Sequence, residues 1–279
     1  MTVLLAGLCT VDLVQRVVDL PSPGEKVQSL NVEVAAGGPA TNAAVTVAAL
    51  GDEAVLVTAL GTHPLAELAR ADLSAHGVRV VDVTPEHEEP PAVSAVAVRD
   101  RDGERTVVSR NAGPNPGALL SEIPDGVRVV LVDGHLPRLA LGVARWARSR
   151  GLPVVLDAGS WKPVLDDLLP LVDIAACSAH FQAPGPGLRA RGVPTVIVTD
   201  GPRPVRWETV DDAGAVEVPR VRALDTLGAG DVWHGALAYG VGRFGLPELI
   251  RFANEVAAEK VRHSGPRAWV RQVRKLGVR

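Results

Sequence analysis

Cysteine is nearly absent from this 279-residue chain, and aromatic side chains make up 3% of it. Cys9 and Cys177 have neither a second cysteine nor a histidine at metal-ligand spacing, which argues against a disulfide framework and a structural zinc site and fits a reducing cytoplasm. With so few aromatics the core has to be aliphatic, built from Ala, Val and Leu. No run approaches the roughly 18 consecutive apolar residues that a bilayer span requires. The opening MTVLLAGLCTVD lacks a basic leader and meets Asp12 almost at once, unlike a signal peptide. A formal net charge of −3 gives no positive surplus to attract nucleic acid or an anionic membrane. Internal repeats and low-complexity segments are missing as well.

What remains is 47% apolar and 22% charged residues, a soluble globular composition sufficient for one large α/β domain with a small attachment. The continuous apolar run Val3–Leu8 reads as a buried parallel strand. Two alternating segments, Leu13–Val18 and Lys26–Val34, flank the turn Pro21-Ser22-Pro23-Gly24 and predict half-buried antiparallel strands outside the main sheet. Ala92–Val98 and Arg105–Ser109 predict a second such hairpin, so a small sheet would be assembled from segments at about 12–34 and 92–110. Elsewhere strands and helices alternate: Ala54–Leu60, Pro64–His76, Val78–Val83, Val127–Asp133, Arg138–Arg150, Pro153–Asp157, Pro163–Leu169, Val172–Ala176 and Thr195–Thr199. That order implies βαβ units on a parallel sheet. Edge strands Val205–Val210 and Ala215–Pro219 follow, then helices to about Arg243 and from Pro247 to His263. The basic Arg267–Arg279 has no assignment.

Two glycine-led helix starts stand out. Gly37-Gly38-Pro39-Ala40-Thr41-Asn42 opens an Ala-rich helix stopped by Gly51, with proline in its first turn. Asp225–Gly235, DTLGAGDVWHG, places Gly228, Ala229 and Gly230 directly before Asp231 and an apolar helical run. Without side chains in the way, free N–H groups and the positive end of the helix dipole face an anion there. Asp231 would stand beside that anion, placed to take a proton, an arrangement suited to phosphoryl transfer. The same residues also read as a plain glycine turn with an N-capping aspartate.

Taken together, GGPATNAAVTVAALG at Gly37–Gly51 and DTLGAGDVWHGAL at Asp225–Leu237 resemble the two signatures of the ribokinase-like (PfkB) carbohydrate kinase family, in order and separation, and the likeness runs over nearly the whole chain. The resemblance implies a Rossmann-type three-layer α/β/α domain, a single unit over residues 1–279, with a small β-sheet lid. It implies an ATP-dependent transfer of the γ-phosphoryl group to a primary hydroxyl of a sugar, with MgATP as donor. By position in the motifs, Asp231 matches the catalytic base and Gly228, Ala229 and Gly230 the anion hole. Asp12, Gly38 and Asn42 match sugar-holding residues. On the nucleotide side, Thr199 and Gly201 match a T-x-G element near the phosphates, Asp225 opens the second motif, and Asn254 falls where the family places a residue near adenine. Gly265 falls where relatives close the base pocket and often bind a monovalent cation such as K⁺. Many relatives pair through the lid, which implies a homodimer.

One family element is missing. After Val172–Ala176 an N-x-x-E would be expected; the sequence has CSAHFQAPG, with Ser178 and Phe181 at those places. Mg²⁺ handling then has to be organised differently, and Lys162, in GSWK, is a candidate to reach the phosphates. Arg110 and Asn111 end the second lid hairpin, where relatives carry polar groups above the sugar. His135 follows a strand end on the ligand-binding side of the sheet. It is a weaker cation than arginine, which favours a neutral sugar or polyol. The other histidines read as surface or packing residues. A nucleoside kinase of the same family, or a sugar- or nucleotide-binding sensor without catalysis, are the competing readings.

Overall fold

A computed structural model describes residues 1–111, 116 and 123–277. Its frame is a nine-stranded sheet. In chain order the strands are β1 (Thr2–Ala6), β4 (Glu53–Thr58), β5 (Val78–Asp82), β8 (Val127–Val132), β9 (Val154–Ala158), β10 (Ile174–Ser178), β11 (Thr195–Asp200), β12 (Arg203–Glu208) and β13 (Ala213–Val216). Across the sheet they run β13-β12-β11-β10-β9-β8-β1-β4-β5, with only β12 and β13 antiparallel to their neighbours. Period-two alternation between two covered faces explains why the central strands are mostly apolar. In β1, Val3 and Leu5 face one core cluster while Leu4 and Ala6 face the other.

Helices cover both faces. On one side lie α1 (Pro39–Leu50), α2 (Pro64–Ala75), α5 (Ala229–Gly240), α6 (Leu246–Val261) and the short α7 (Val270–Val273). On the other lie α3 (Pro137–Ser149) and α4 (Leu165–Leu168). The C-terminal segment is more than a basic tail, since Trp269, Val270 and Val273 are buried in the first core.

A four-stranded sheet stands apart, in the order β3-β2-β6-β7, from β2 (Thr10–Val17), β3 (Asn31–Gly37), β6 (Ala92–Arg99) and β7 (Arg105–Arg110). The parallel pairing of β2 with β6 joins the two hairpins expected from sequence. Several boundaries shift by a few residues, and one shift in this sheet is larger. Residues 26–30 are outside the strand, and β3 continues instead to Gly37, because its register is set by Thr10↔Gly37 at one end and Arg16↔Asn31 at the other. Alternation alone could not see that the apolar Leu30, Val32 and Val34 point to solvent.

Candidate active site

The two glycine-led helix starts end up side by side but in different electrostatic states. At α1, Gly38 has φ 96°, and a Cβ there would sit 2.5 Å from the Leu8 carbonyl oxygen, so only glycine fits. The buried Asp133 carboxylate occupies this helix end. It accepts the N–H groups of Leu8 (2.9 Å), Ala40 (3.2 Å) and His135 (2.9 Å). The α1 terminus is therefore already neutralised from within.

The α5 terminus is open. Gly228 precedes it with φ 70°, no side chain caps it, and Gly230 is exposed. Thr226 O accepts the Ala229 N–H at 3.2 Å. The first-turn N–H groups that follow have no helix carbonyl to reach. Of the two starts, this is the one able to receive an anion from outside the protein.

Asp231 stands in the first turn of α5, half-buried, and Asn42 Nδ2 donates to its Oδ2 at 2.8 Å. Gly228 must be side-chain-free for this contact, since a Cβ would lie 3.3 Å from Asn42 Nδ2 and 3.6 Å from Asp231 Oδ2. The Asp231 carboxyl is pushed up to about 7. Burial is the main cause, the negative charge of Asp157 adds to it and Asp133 adds less; the Asn42 hydrogen bond and His234 pull the other way. A carboxylate poised near neutrality is suited to accept a proton from an alcohol.

Asn42 is itself held. Its Oδ1 accepts from Arg267 NH1 at 3.2 Å, which fixes which end of the amide faces Asp231. Arg267 in turn donates Nε (3.1 Å) and NH2 (2.9 Å) to Asp72 Oδ2, and NH2 also to the Ala36 carbonyl. Asp72 accepts the Ala36 N–H and pairs with His76 at 3.3 Å. A second brace lies beneath Asp231, one turn along α5. His234 Nδ1 lies 3.2 Å from Asp157 Oδ2 and its Nε2 faces the Ala176 carbonyl. The expectation that His234 is a surface or packing residue is incomplete, because its ring is packed against the buried Asp157 carboxylate.

Asp12, on β2, faces the same space from the lid. Thr10 Oγ1 donates to it at 2.6 Å, and Ser94, its partner across β6, also hydrogen-bonds to it. Burial pushes its carboxyl upward against these bonds. The Asp12 carboxylate lies across Gly37, where a Cβ would come within 2.0 Å of it. Asp12, Asn42 and Gly228 line one pocket of about 330 Å³, completed by Val14, Leu227 and Trp269.

Other expected residues are less converged. Lys162 is half-buried, and its ammonium faces Asp133 and Asp157; it is not a free surface lysine. His135 lies above Asp133 and is held toward the neutral form, chiefly by burial, with Lys162 contributing. Thr199 and Gly201 end β11, with Thr199 Oγ1 turned toward the Cys177 carbonyl at 3.4 Å. Asn254 is 2% exposed, with Trp233 Nε1 donating to its Oδ1 (2.8 Å) and its Nδ2 donating to Glu217 O (3.0 Å). Its amide is an internal brace between α5, α6 and the sheet edge. Arg110 is exposed at the end of β7, and Asn111 lines a different pocket, of about 360 Å³, with Leu8, Cys9, His87 and Leu136. Phe181, at the place of the family glutamate, packs tilted against Trp161 with ring centroids 6.2 Å apart, and Arg191 covers Trp161 at 4.7 Å. Among the described residues no group of three or more His, Cys, Asp or Glu could hold a metal ion.

Comparison with known proteins decides the family. Residues 2–272 match the model of the pfkB family carbohydrate kinases. The chain belongs to that family. It is 23% identical to the ribokinase of Bacillus subtilis over 91% of both chains. Among solved structures it resembles a provisionally assigned ribokinase of Agrobacterium tumefaciens, with a TM-score of 0.86 and 28% identity over 99% of this chain and 95% of that one. It also resembles the Arabidopsis thaliana ribokinase, determined with ribose and ATP, with a TM-score of 0.78 and 22% identity over 98% and 97%. The pfkB kinases are phosphotransferases acting on a hydroxyl group, and the α/β fold with its smaller sheet is that of the ribokinases.

Sequence reasoning missed Asp133, Asp157, His234, Arg267 and Lys260. Three carried a usable signal: Lys260 is a charge on an apolar helical stripe, and Asp133 and Asp157 each terminate an apolar strand run at the carboxyl edge of the sheet, where ligands of open α/β sheets bind.

Proposed function

We propose that the protein is an ATP-dependent sugar kinase that phosphorylates a primary hydroxyl of a neutral monosaccharide, with Asp231 as base. The observation that carries this is the Asn42–Asp231 contact at the start of α5, which no side chain caps. Asp12 and Asn42 hold the sugar hydroxyls from opposite walls of their pocket, and Gly38 lets the sugar lie against α1. The hydroxyl delivered to Asp231 gives its proton to the carboxylate as the phosphoryl group arrives. The first-turn N–H groups after Gly228, Ala229 and Gly230 receive the charge that spreads over that group, so positioning and electrostatics supply most of the rate.

ATP is the donor in this reading, supported by the Arabidopsis relative, and Thr199, Gly201 and Lys162 border its phosphates. Mg²⁺ would come coordinated by the nucleotide's own phosphates and water, which calls for no all-protein cage. Burial draws His135 toward its neutral form, which makes it a poor cation for an acidic sugar and favours a free sugar over a sugar phosphate. Exposed Val32 and Val34 on β3 and Val108 on β7 share the face of the lid opposite buried Val14 and Val96, an apolar outer face which we assign to pairing with a second copy. Two buried, unpaired thiols suit a cytoplasmic setting. The test is ADP release with MgATP across free pentoses and hexoses, sugar phosphates and nucleosides. Turnover of a free sugar well above the other classes supports the reading. A nucleoside as the best substrate, or silence across the panel, replaces it with the nucleoside kinase or the sensor.

A further inference from the structure

Lysine is out of place on the buried stripe of α6, where Leu249, Ile250, Ala253, Val256 and Lys260 follow one another at helical spacing. Lys260 is 2% exposed, and its ammonium is held at the entrance to α5. Nζ donates to the Asp225 carbonyl at 2.9 Å and lies 3.4 Å from Asp225 Oδ1, a carboxylate that is itself 2% exposed. The rest of the Asp225 shell is complete. Oδ1 accepts the Leu227 N–H (2.8 Å), Oδ2 accepts the Gly265 N–H (3.0 Å), and Arg16 NH2 stands 3.6 Å from Oδ2. The N–H groups of Leu224 and Asp225 both reach the Val261 carbonyl at the end of α6.

The monovalent cation expected beside Gly265 does not fit this shell. Both carboxylate oxygens of Asp225 already have donors, and the two carboxylates beside Gly265, Asp225 and Glu33, are matched by the charges of Lys260 and Arg16, so a free cation would enter with no negative charge left to pair it. The shell nevertheless does what a bound cation could do: it fixes the peptide from Asp225 to Leu227 that leads into Gly228, and keeps one positive charge behind the open helix start.

We propose that the Lys260 ammonium is the resident cation of this shell and makes nucleotide binding and turnover by this chain independent of K⁺ or any other free monovalent cation. Lys260 is a positioning residue, acting through Asp225 on the turn at Gly228. The proposal rests on the kinase reading only for turnover; stability and ATP binding test it separately.

The experiment compares KCl, NaCl and tetramethylammonium chloride at equal ionic strength, reading ATP affinity by titration calorimetry, melting temperature, and turnover. For the wild-type protein the ATP affinity should differ less than about twofold between salts. K⁺ tightening ATP binding by about tenfold or more over tetramethylammonium would overturn the proposal. Lys260→Ala opens space beside an under-compensated carboxylate. Its melting temperature should fall, and K⁺ but not tetramethylammonium should restore part of it and tighten ATP binding about fivefold or more. Lys260→Met, which fills the space without charge, should not be restored. A folded Lys260→Ala protein no more responsive to K⁺ than wild type overturns the surrogate role; if that variant does not fold, the wild-type comparison decides alone. A wild-type protein that binds no ATP at all removes the kinase reading, while its melting temperatures across the three salts still decide on the cation.

Discussion

The Asn42 amide bridges the candidate base to a buried cation network, donating to Asp231 at 2.8 Å and accepting from Arg267 at 3.2 Å. The two residues it joins lie on α5 and in the segment between α6 and α7, 36 positions apart in sequence. That bridge fixes where the Asp231 carboxylate points and partly offsets the burial that keeps its proton on.

Replacing Asn42 with alanine removes the one side-chain hydrogen bond that lowers the Asp231 carboxyl. The rising limb of kcat/KM against pH should move to higher pH than in wild type, with turnover falling about 10- to 100-fold at neutral pH. A pH profile of the variant checks this. An unmoved limb would mean that Asn42 does not set the protonation of Asp231.

Arg267→Met should weaken both catalysis and the fold. It leaves the half-buried Asp72 with only His76 and the Ala36 N–H as partners and frees the Asn42 amide to turn, at a cost of about 2–3 kcal/mol in denaturant unfolding. The acid side carries a more specific signature. The Asp72 carboxyl is held down to about 2: burial opposes this, but the His76 hydrogen bond and the Arg267 charge outweigh it. A depressed carboxyl gives stability that is complete above its ordinary value near 4 and is lost as pH falls toward 2. That slope should be shallower in Arg267→Met, measured by unfolding between those two pH values.

Much of the architecture is legible in the chain because central strands buried on both faces read as unbroken apolar runs, and because glycine and proline punctuate α1 and α5. Asp231, Asn42 and Asp12 are legible for a different reason: they lie inside or beside local motifs. Arg267 and Lys260 are not, since each acts on residues that only the tertiary fold brings near. Lys260 did leave a trace, a charge on an apolar helical stripe. The β3 boundary was misplaced because exposed and buried valines alternate alike, and only pairing with β2 sets the register.

Gly228→Ala tests the helix start. The residue has φ 70° and its Cβ would press on the Asn42 amide at 3.3 Å. A stability loss of about 1–2 kcal/mol is expected from the left-handed backbone. Turnover should fall by more than that loss explains, because the amide and Asp231 are displaced together. Full activity with reduced stability would make Gly228 a turn residue only.

Asp231→Asn should be more stable than wild type at pH 8. A carboxyl raised to about 7 in the folded protein binds its proton more tightly there than when unfolded, so wild-type stability falls as pH rises from about 4 through 7. The advantage of the asparagine should be largest above pH 7 and fade toward pH 4, as read from melting temperatures across that range.

Turnover by the same variant tests the central claim most directly. With MgATP and the best sugar from the substrate panel, Asp231→Asn should lose about a thousandfold or more in kcat while its ATP affinity stays within about threefold of wild type. Retention of most of the wild-type kcat would contradict a base at the open start of α5.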